Sequence, residues 1–237
     1  INDAINKAGR QRMLCQRMAK SYLALGQGVE GELAERTLAA SMALFDRQLV
    51  ELKVFAPGAD IKSTYAQLEL AWSDYKAALV GTKPSKAQAD SVITLAGKVL
   101  RIANDGTARL EKVSGHALGT LVNVAGRQRM LSQRMAAFYL SASWGVQAGP
   151  ASAELVKARE EFVAAHKLLY AAPEASSSIR AELDLAHTQW DFFDAALRTL
   201  RPGKADRRSM SEVFTTSERI LQVMDGVTGM FTKLSQA

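Results

Sequence analysis

Asn6-Lys7-Ala8-Gly9-Arg10-Gln11-Arg12-Met13-Leu14-Cys15-Gln16-Arg17-Met18-Ala19 decides the reading of this chain, because it occurs twice. The second copy is Asn123-Val124-Ala125-Gly126-Arg127-Gln128-Arg129-Met130-Leu131-Ser132-Gln133-Arg134-Met135-Ala136, and 12 of the 14 positions are identical. The offset is 117 residues in a chain of 237, so the motif opens each of two halves that otherwise diverge. Apart from one Gly, the string is rich in helix formers. On a helical wheel, Leu14, Met18 and Leu25 make an ordinary core stripe, with Ala8, Cys15 and Tyr22 beside it. Gly9, Arg12, Met13 and Gln16 gather on another side, with Ile5 and Asn6 at its margins. Gly126, Arg129, Met130 and Gln133 do the same in the second copy.

A Gly within a helix costs roughly 1 kcal/mol relative to Ala. The return is close approach of a second backbone or a ligand. Arg one turn on can reach over the space that Gly leaves, and its planar fork of donors suits flat oxyanions. Gly-x-x-Arg used twice therefore describes a small anion site between two facing helices. The competing reading is a structural or adaptor helical module with no small-molecule ligand, in which the motif is a tight packing seam and the arginines pair with local acids.

The pattern Asn-x-Ala-Gly-x-x-Arg-Met-x-Ser-x-Arg resembles the first-helix signature of PilJ-type sensor domains, the input modules of some bacterial chemoreceptors. It is also similar to the P-box of the nitrate/nitrite sensor kinases NarX and NarQ. Ser132 fits the pattern and Cys15 departs from it; Arg17 and Arg134 match its final Arg. The resemblance implies a four-helix bundle and one nitrate held between the first helices of two protomers. It implies ligand-binding roles for Gly9, Arg12, Gly126 and Arg129. Asn6, Met13, Gln16, Asn123, Met130 and Gln133 are expected around them, the Asn or Gln pairs donating supporting hydrogen bonds. It further implies an extracytoplasmic, periplasmic protein, with nitrate or nitrite as ligand and a membrane-bound sensor or receptor as partner. Both copies lie on one chain, so a monomer acting as an intramolecular pseudo-dimer is expected.

Helix patterning runs the whole length. The first half predicts helices from the N-terminus to about Leu25, from Glu32 to Val54, from Ile61 to Leu79, and from a Ser85 N-cap to about Val113. The second half repeats them at about Leu118–Trp144, Ala151–Tyr170, Ile179–Leu200 and Ser209–Leu234. Trp190, Phe193 and Leu197 echo Trp72, Tyr75 and Leu79, and Asp225-Gly226 echoes Asp105-Gly106. The expected fold is all-α: a tandem pair of up-and-down four-helix bundles related by pseudo-twofold symmetry, residues 1–114 and 115–237. At the junction, Ser114-Gly115-His116 and Gly119 favour a hairpin that sets the bundles side by side with the motif helices parallel. A continuous helix through Gly115 would stack them end to end and separate the motifs.

Composition narrows the function. Apolar residues make up 48% and aromatics 7%, enough for a core in each half and in keeping with an all-α chain. No run approaches the ~18 apolar residues of a spanning helix. No signal peptide stands at Ile1, which fits a mature or trimmed product. The net charge of +6 favours anions, but basic residues alternate with acids and no nucleic-acid motif is present. Cys15, the single cysteine, is expected to be a buried, inert thiol. His116, His166 and His187 fall on different elements without metal-ligand spacing, so no metal site is expected. No nucleophile elbow, phosphate loop or dinucleotide fingerprint occurs, and neither an enzyme nor a cofactor is expected.

Overall fold

The computed structural model describes residues 1–234. Among them are eight helices and no strand: α1 (Asn2–Gly26), α2 (Gly31–Phe55), α3 (Ala59–Val80), α4 (Lys86–Ser114), α5 (Ala117–Trp144), α6 (Ala148–Ala171), α7 (Ser177–Leu197) and α8 (Arg207–Lys233). Short loops make consecutive helices antiparallel neighbours. α1 packs on α2 and α4, and α3 on α4; α5 packs on α6 and α8, and α7 on α8. Matching aromatic clusters fill the two cores. Phe45 packs on Trp72 and Phe162 on Trp190, with ring centroids 4.3 and 4.5 Å apart, and both tryptophans are buried. Gln11 and Gln128 tie each motif helix to the next, donating to the carbonyls of Phe45 and Phe162.

The junction is a hairpin. Gly115 ends α4 at φ 65°, the left-handed conformation that favours glycine, and α5 begins two residues later. The bundles therefore stand side by side, with α1 and α5 forming the most extensive helix pair in the molecule. These two helices are parallel: Asn6 meets Arg129, Gly9 meets Gly126, and Gln27 donates to the Leu140 carbonyl. α1 and α5 are consequently buried on almost every side, one face in their own bundle and the other against each other. At the far end of the seam the Trp144 ring lies where a side chain on Gly26 would be.

Helix ends shift by a few residues from the sequence expectation. α6 begins at Ala148, so Pro150 lies in its first turn, where a missing N–H leaves no bond unmade. α7 is capped by the Ser176 hydroxyl and stops at Leu197, short of Leu200. α8 starts at Arg207, capped by Asp206. Ser85 occupies the N-cap of α4 without a side-chain capping bond. No helix of the described residues is long and apolar enough to cross a membrane. His166 and His187, though on different helices, have ring centroids 5.5 Å apart, a proximity that the separation in sequence conceals.

Candidate functional site

Glycine at both crossing positions lets α1 and α5 touch backbone to backbone. A Cβ placed on Gly9 would lie 3.7 Å from the Gly126 Cα, 3.3 Å from Arg12 Nη2 and 3.5 Å from Arg129 Nη2. A Cβ on Gly126 would meet the same two guanidinium nitrogens at 3.7 and 3.2 Å. Both arginine tips thus converge on the point where the helices are closest. Each reaches across to the opposite helix. Arg12 Nη2 donates to the Asn123 carbonyl at 3.2 Å and to Asn123 Oδ1 at 2.7 Å. Arg129 Nη2 donates to the Asn6 carbonyl at 3.1 Å and to Asn6 Oδ1 at 2.9 Å. The asparagine side-chain oxygens thus accept from the arginines, while Asn123 Nδ2 donates to Glu111.

Both guanidinium groups are removed from solvent, Arg12 being 1% exposed and Arg129 0%. The Nε of each is buried with no hydrogen-bond partner among the described residues. Their charge environments differ. Arg129 Nη1 pairs with Asp225 on α8, which also receives Arg10 at 2.9 Å. The pseudo-equivalent position on α4 is Asn104, whose Oδ1 receives Arg12 Nη1 at 3.0 Å and Arg127 Nη1 at 3.3 Å. Asn104, not Asp105, is thus the structural counterpart of Asp225, and the expected echo of Asp105-Gly106 is one residue out of register. No carboxylate of the described residues lies within 4.0 Å of Arg12, leaving a fully buried cation on neutral amide oxygens.

The electrostatics follow from this. Burial, reinforced by repulsion from Arg127 and Arg129 and opposed by the more distant carboxylates of Glu111 and Glu161, pushes Arg12 down to about 9. Burial pushes Arg129 down to about 10, with Asp225 working the other way. Burial opposes ionisation of Asp225 too, but Arg129 and Arg10 outweigh it and hold the carboxyl below its usual range.

The remaining expected residues sit around the seam. Met13 and Met130 are buried beside it. Gln16 and Gln133 turn away from the arginines: Gln133 donates to Ser132 and the Ser217 carbonyl, and Gln16 only to Cys15 Sγ at 3.5 Å. Cys15 is fully buried, which pushes its thiol up to about 12. Among the described residues no group of three or more His, Cys, Asp and Glu is placed to hold a metal ion.

Comparison with known proteins agrees with this architecture. The family model described as "PilJ: Type IV pili methyl-accepting chemotaxis transducer N-term" matches twice, over residues 2–95 and 115–214. The chain belongs to the PilJ family. No curated protein and no solved structure matches it. Each PilJ copy contains one Gly-x-x-Arg, whereas Asn104 and Asp225 fall beyond the matched segments. A PilJ domain is a non-catalytic sensory module, here carried in tandem on one chain.

Proposed function

We propose that this tandem PilJ chain binds one small planar oxyanion, nitrate or nitrite, between α1 and α5. Residues 1–114 and 115–237 act as the two halves of an intramolecular pseudo-dimer, residues 235–237 lying outside the described structure. The observation that carries the reading is Arg12, a buried guanidinium without a carboxylate partner. A buried charge left unpaired costs several kcal/mol, and an anion removes that cost. Arg12 and Arg129 supply the donors, their partnerless Nε groups included. Gly9 and Gly126 leave the approach open, while Asn6 and Asn123 hold the forks in its absence.

Filling the site replaces guanidinium–guanidinium repulsion with two charge-assisted contacts, each worth about 1.5–3 kcal/mol. That difference favours whichever spacing of α1 and α5 best fits the anion between the two forks, which is how occupancy becomes a signal. The site sits in a sensor of the chemotaxis-transducer class, so the reading includes a periplasmic location and a membrane-bound receptor as listener.

Calorimetric titration with nitrate at low chloride, on the native chain and Arg12→Gln, tests this. Saturable binding of one anion per chain, weakened at least a hundredfold in the variant, is the expected result. Two anions per chain would replace the shared site with two separate ones. Absence of both heat and any nitrate-induced rise in melting temperature would leave the motif as a packing seam, the adaptor reading.

A further inference from the structure

The two bundles differ most where a pair of charges in one is an empty space in the other. The α4-to-α8 correspondence is fixed by contacts: Asn104 and Asp225 receive equivalent arginines, while Asp90 and Ser211 meet the equivalent loop residues Gln147 and Glu30. In that register Gly97 stands opposite Glu218. By the motif register, Ala137 stands opposite Lys20 and Arg134 opposite Arg17. On the α1/α8 side, Glu218 accepts from Arg17 and, at 2.5 Å, from the buried Lys20 ammonium. Lys20 is 4.1 Å above the Phe214 ring. On the α4/α5 side the glutamate has become Gly97, the lysine Ala137 and the phenylalanine Ile93. A Cβ on Gly97 would meet nothing within 4 Å.

The result is a cavity of about 170 Å³ between α1, α4, α5 and α6, with Ala19, Leu23, Ile93, Gly97, Leu100 and Ala137 on its apolar walls. The space opens to solvent at the exposed Gly97, and its volume is comparable to the ~150 Å³ that accommodates a molecule the size of benzene. Its polar groups are Arg134, Glu154, Gln16, Ser141 and Gln147, of which Ser141 donates to the Val146 carbonyl and Gln147 to Asp90. Arg134 has lost the carboxylate that Glu218 gives Arg17, and reaches Glu154 at 3.2 Å, a carboxylate already engaged by Lys157 at 2.8 Å. Gln16 is 5% exposed, and its amide N–H has only the Cys15 sulfur, whereas Gln133 reaches the Ser217 carbonyl at 3.0 Å.

We propose that this cavity is a second ligand site, for a short aliphatic carboxylate whose chain fills the apolar space and whose head takes the position of the missing Glu218-type carboxylate, against Arg134 and the Gln16 amide. The glutamate side chain absent at Gly97 is, atom for atom, propionate. The lysine methylenes absent at Ala137 leave space for one or two carbons more. The inference is independent of nitrate binding, since none of the four residues assigned to the nitrate site lines this cavity.

The test is a titration of propionate and butyrate into the full chain at saturating nitrate, followed by calorimetry and by the amide NMR signals of Gln16, Gly97 and Arg134. Saturable binding in the millimolar range or tighter is expected, with perturbations confined to those helices. Gly97→Glu supplies the carboxylate covalently and should abolish it; Arg134→Gln should weaken it at least tenfold without moving nitrate affinity. Absence of saturable propionate binding in the native chain overturns the proposal, as does binding that survives both substitutions. Butylamine binding in place of butyrate would overturn the assignment of a carboxylate.

Discussion

The α1/α8 face and the α4/α5 face are built on nearly identical motif helices, yet they handle charge in opposite ways. On the α1/α8 face, Asp225 receives Arg129 and Arg10, and Glu218 receives Arg17 and Lys20. On the α4/α5 face those acids are Asn104 and Gly97, and Arg12 is left without a carboxylate. The motif arginines have been kept in duplicate while their neutralising partners, on the fourth helix of each bundle, have been kept on one side only. A wholly symmetric seam with two acids would be internally satisfied and indifferent to anions. One with none would bury two unpaired guanidinium groups. The compensation is uneven in placement: Arg129 and Arg10 share Asp225, whereas Arg127 pairs with Glu161 and Arg12 is held only by amide and carbonyl oxygens, which leaves Arg12 as the guanidinium an anion would answer.

The largest effect that separates the faces concerns stability. Burial lowers Lys20 to about 8 even with Glu218 beside it. Burial works against ionisation of Glu218, but Lys20 and Arg17 more than offset this and bring it to about 2. The two shifts act in opposite senses on stability at neutral pH, and removing one partner leaves the other charge buried without compensation. Glu218→Gln should destabilise the chain by about 3–5 kcal/mol in chemical denaturation, because the ammonium remains buried and unpaired. Gly97→Ala, at the matching site, should be neutral or stabilising by up to about 1 kcal/mol, since the site is an open helix interior. Comparable losses from both changes would mean that the faces are not energetically distinct.

Next comes ligand affinity. Asn104→Asp copies Asp225 onto the open face and gives Arg12 an internal counter-charge. Nitrate affinity should fall about 10–100-fold, the worth of about 1.5–3 kcal/mol, while the ligand-free chain becomes more stable. Asp225→Asn should do the reverse, tightening nitrate and lowering the unliganded melting temperature. Unchanged affinity in Asn104→Asp would show that the excess charge on Arg12 is not what the anion answers.

Much of the scaffold was legible in the sequence, because helix periodicity, Gly and Pro breaks and a repeated string are local signals. The four seam residues were legible for the same reason: Gly9, Arg12 and their counterparts are fixed by spacing within one helix. The asymmetry was not. Asn104 and Asp225 belong to helices that reach the seam only after three loops, and the longer connection at 198–206 moves α8 four residues out of the motif register. The Asp-Gly echo pointed to Asp105, whose carboxylate instead pairs with Arg109. The cavity was hidden for a related reason, since a Gly on α4 and an Ala on α5 read as ordinary helix residues until the equivalent acid and base are seen filling the same volume. Nor could one sequence reveal that Arg12 and Arg129 each grip the backbone carbonyl of the other helix, a contact that depends on the parallel packing of α1 and α5.

The smallest effect in the physiological range, and the one with the most diagnostic sign, is the pH dependence. Arg12 sits at about 9 in the folded chain against an ordinary value of 12.5. Below pH 9 it is charged in both folded and unfolded chains, and the burial penalty is fully present. Between about 9 and 12.5 the unfolded chain binds more protons than the folded one, so this group's contribution to stability rises with pH. Nitrate has the opposite requirement, because it recognises the charged form. Its affinity should therefore be flat from pH 6 to 8 and decline as pH passes 9, with Arg129 adding a second decline near 10. Lys20 also titrates near this range, but its effect is common to the free and bound chains and cancels in the nitrate-induced rise in melting temperature. That rise, measured from pH 7 to 10.5, should shrink while the unliganded chain holds or gains stability from these groups. In Asn104→Asp the added carboxylate raises Arg12, so the weaker nitrate response that remains should persist to higher pH. A nitrate increment that stays constant through pH 10 would separate the anion from Arg12 and return the seam to a packing role.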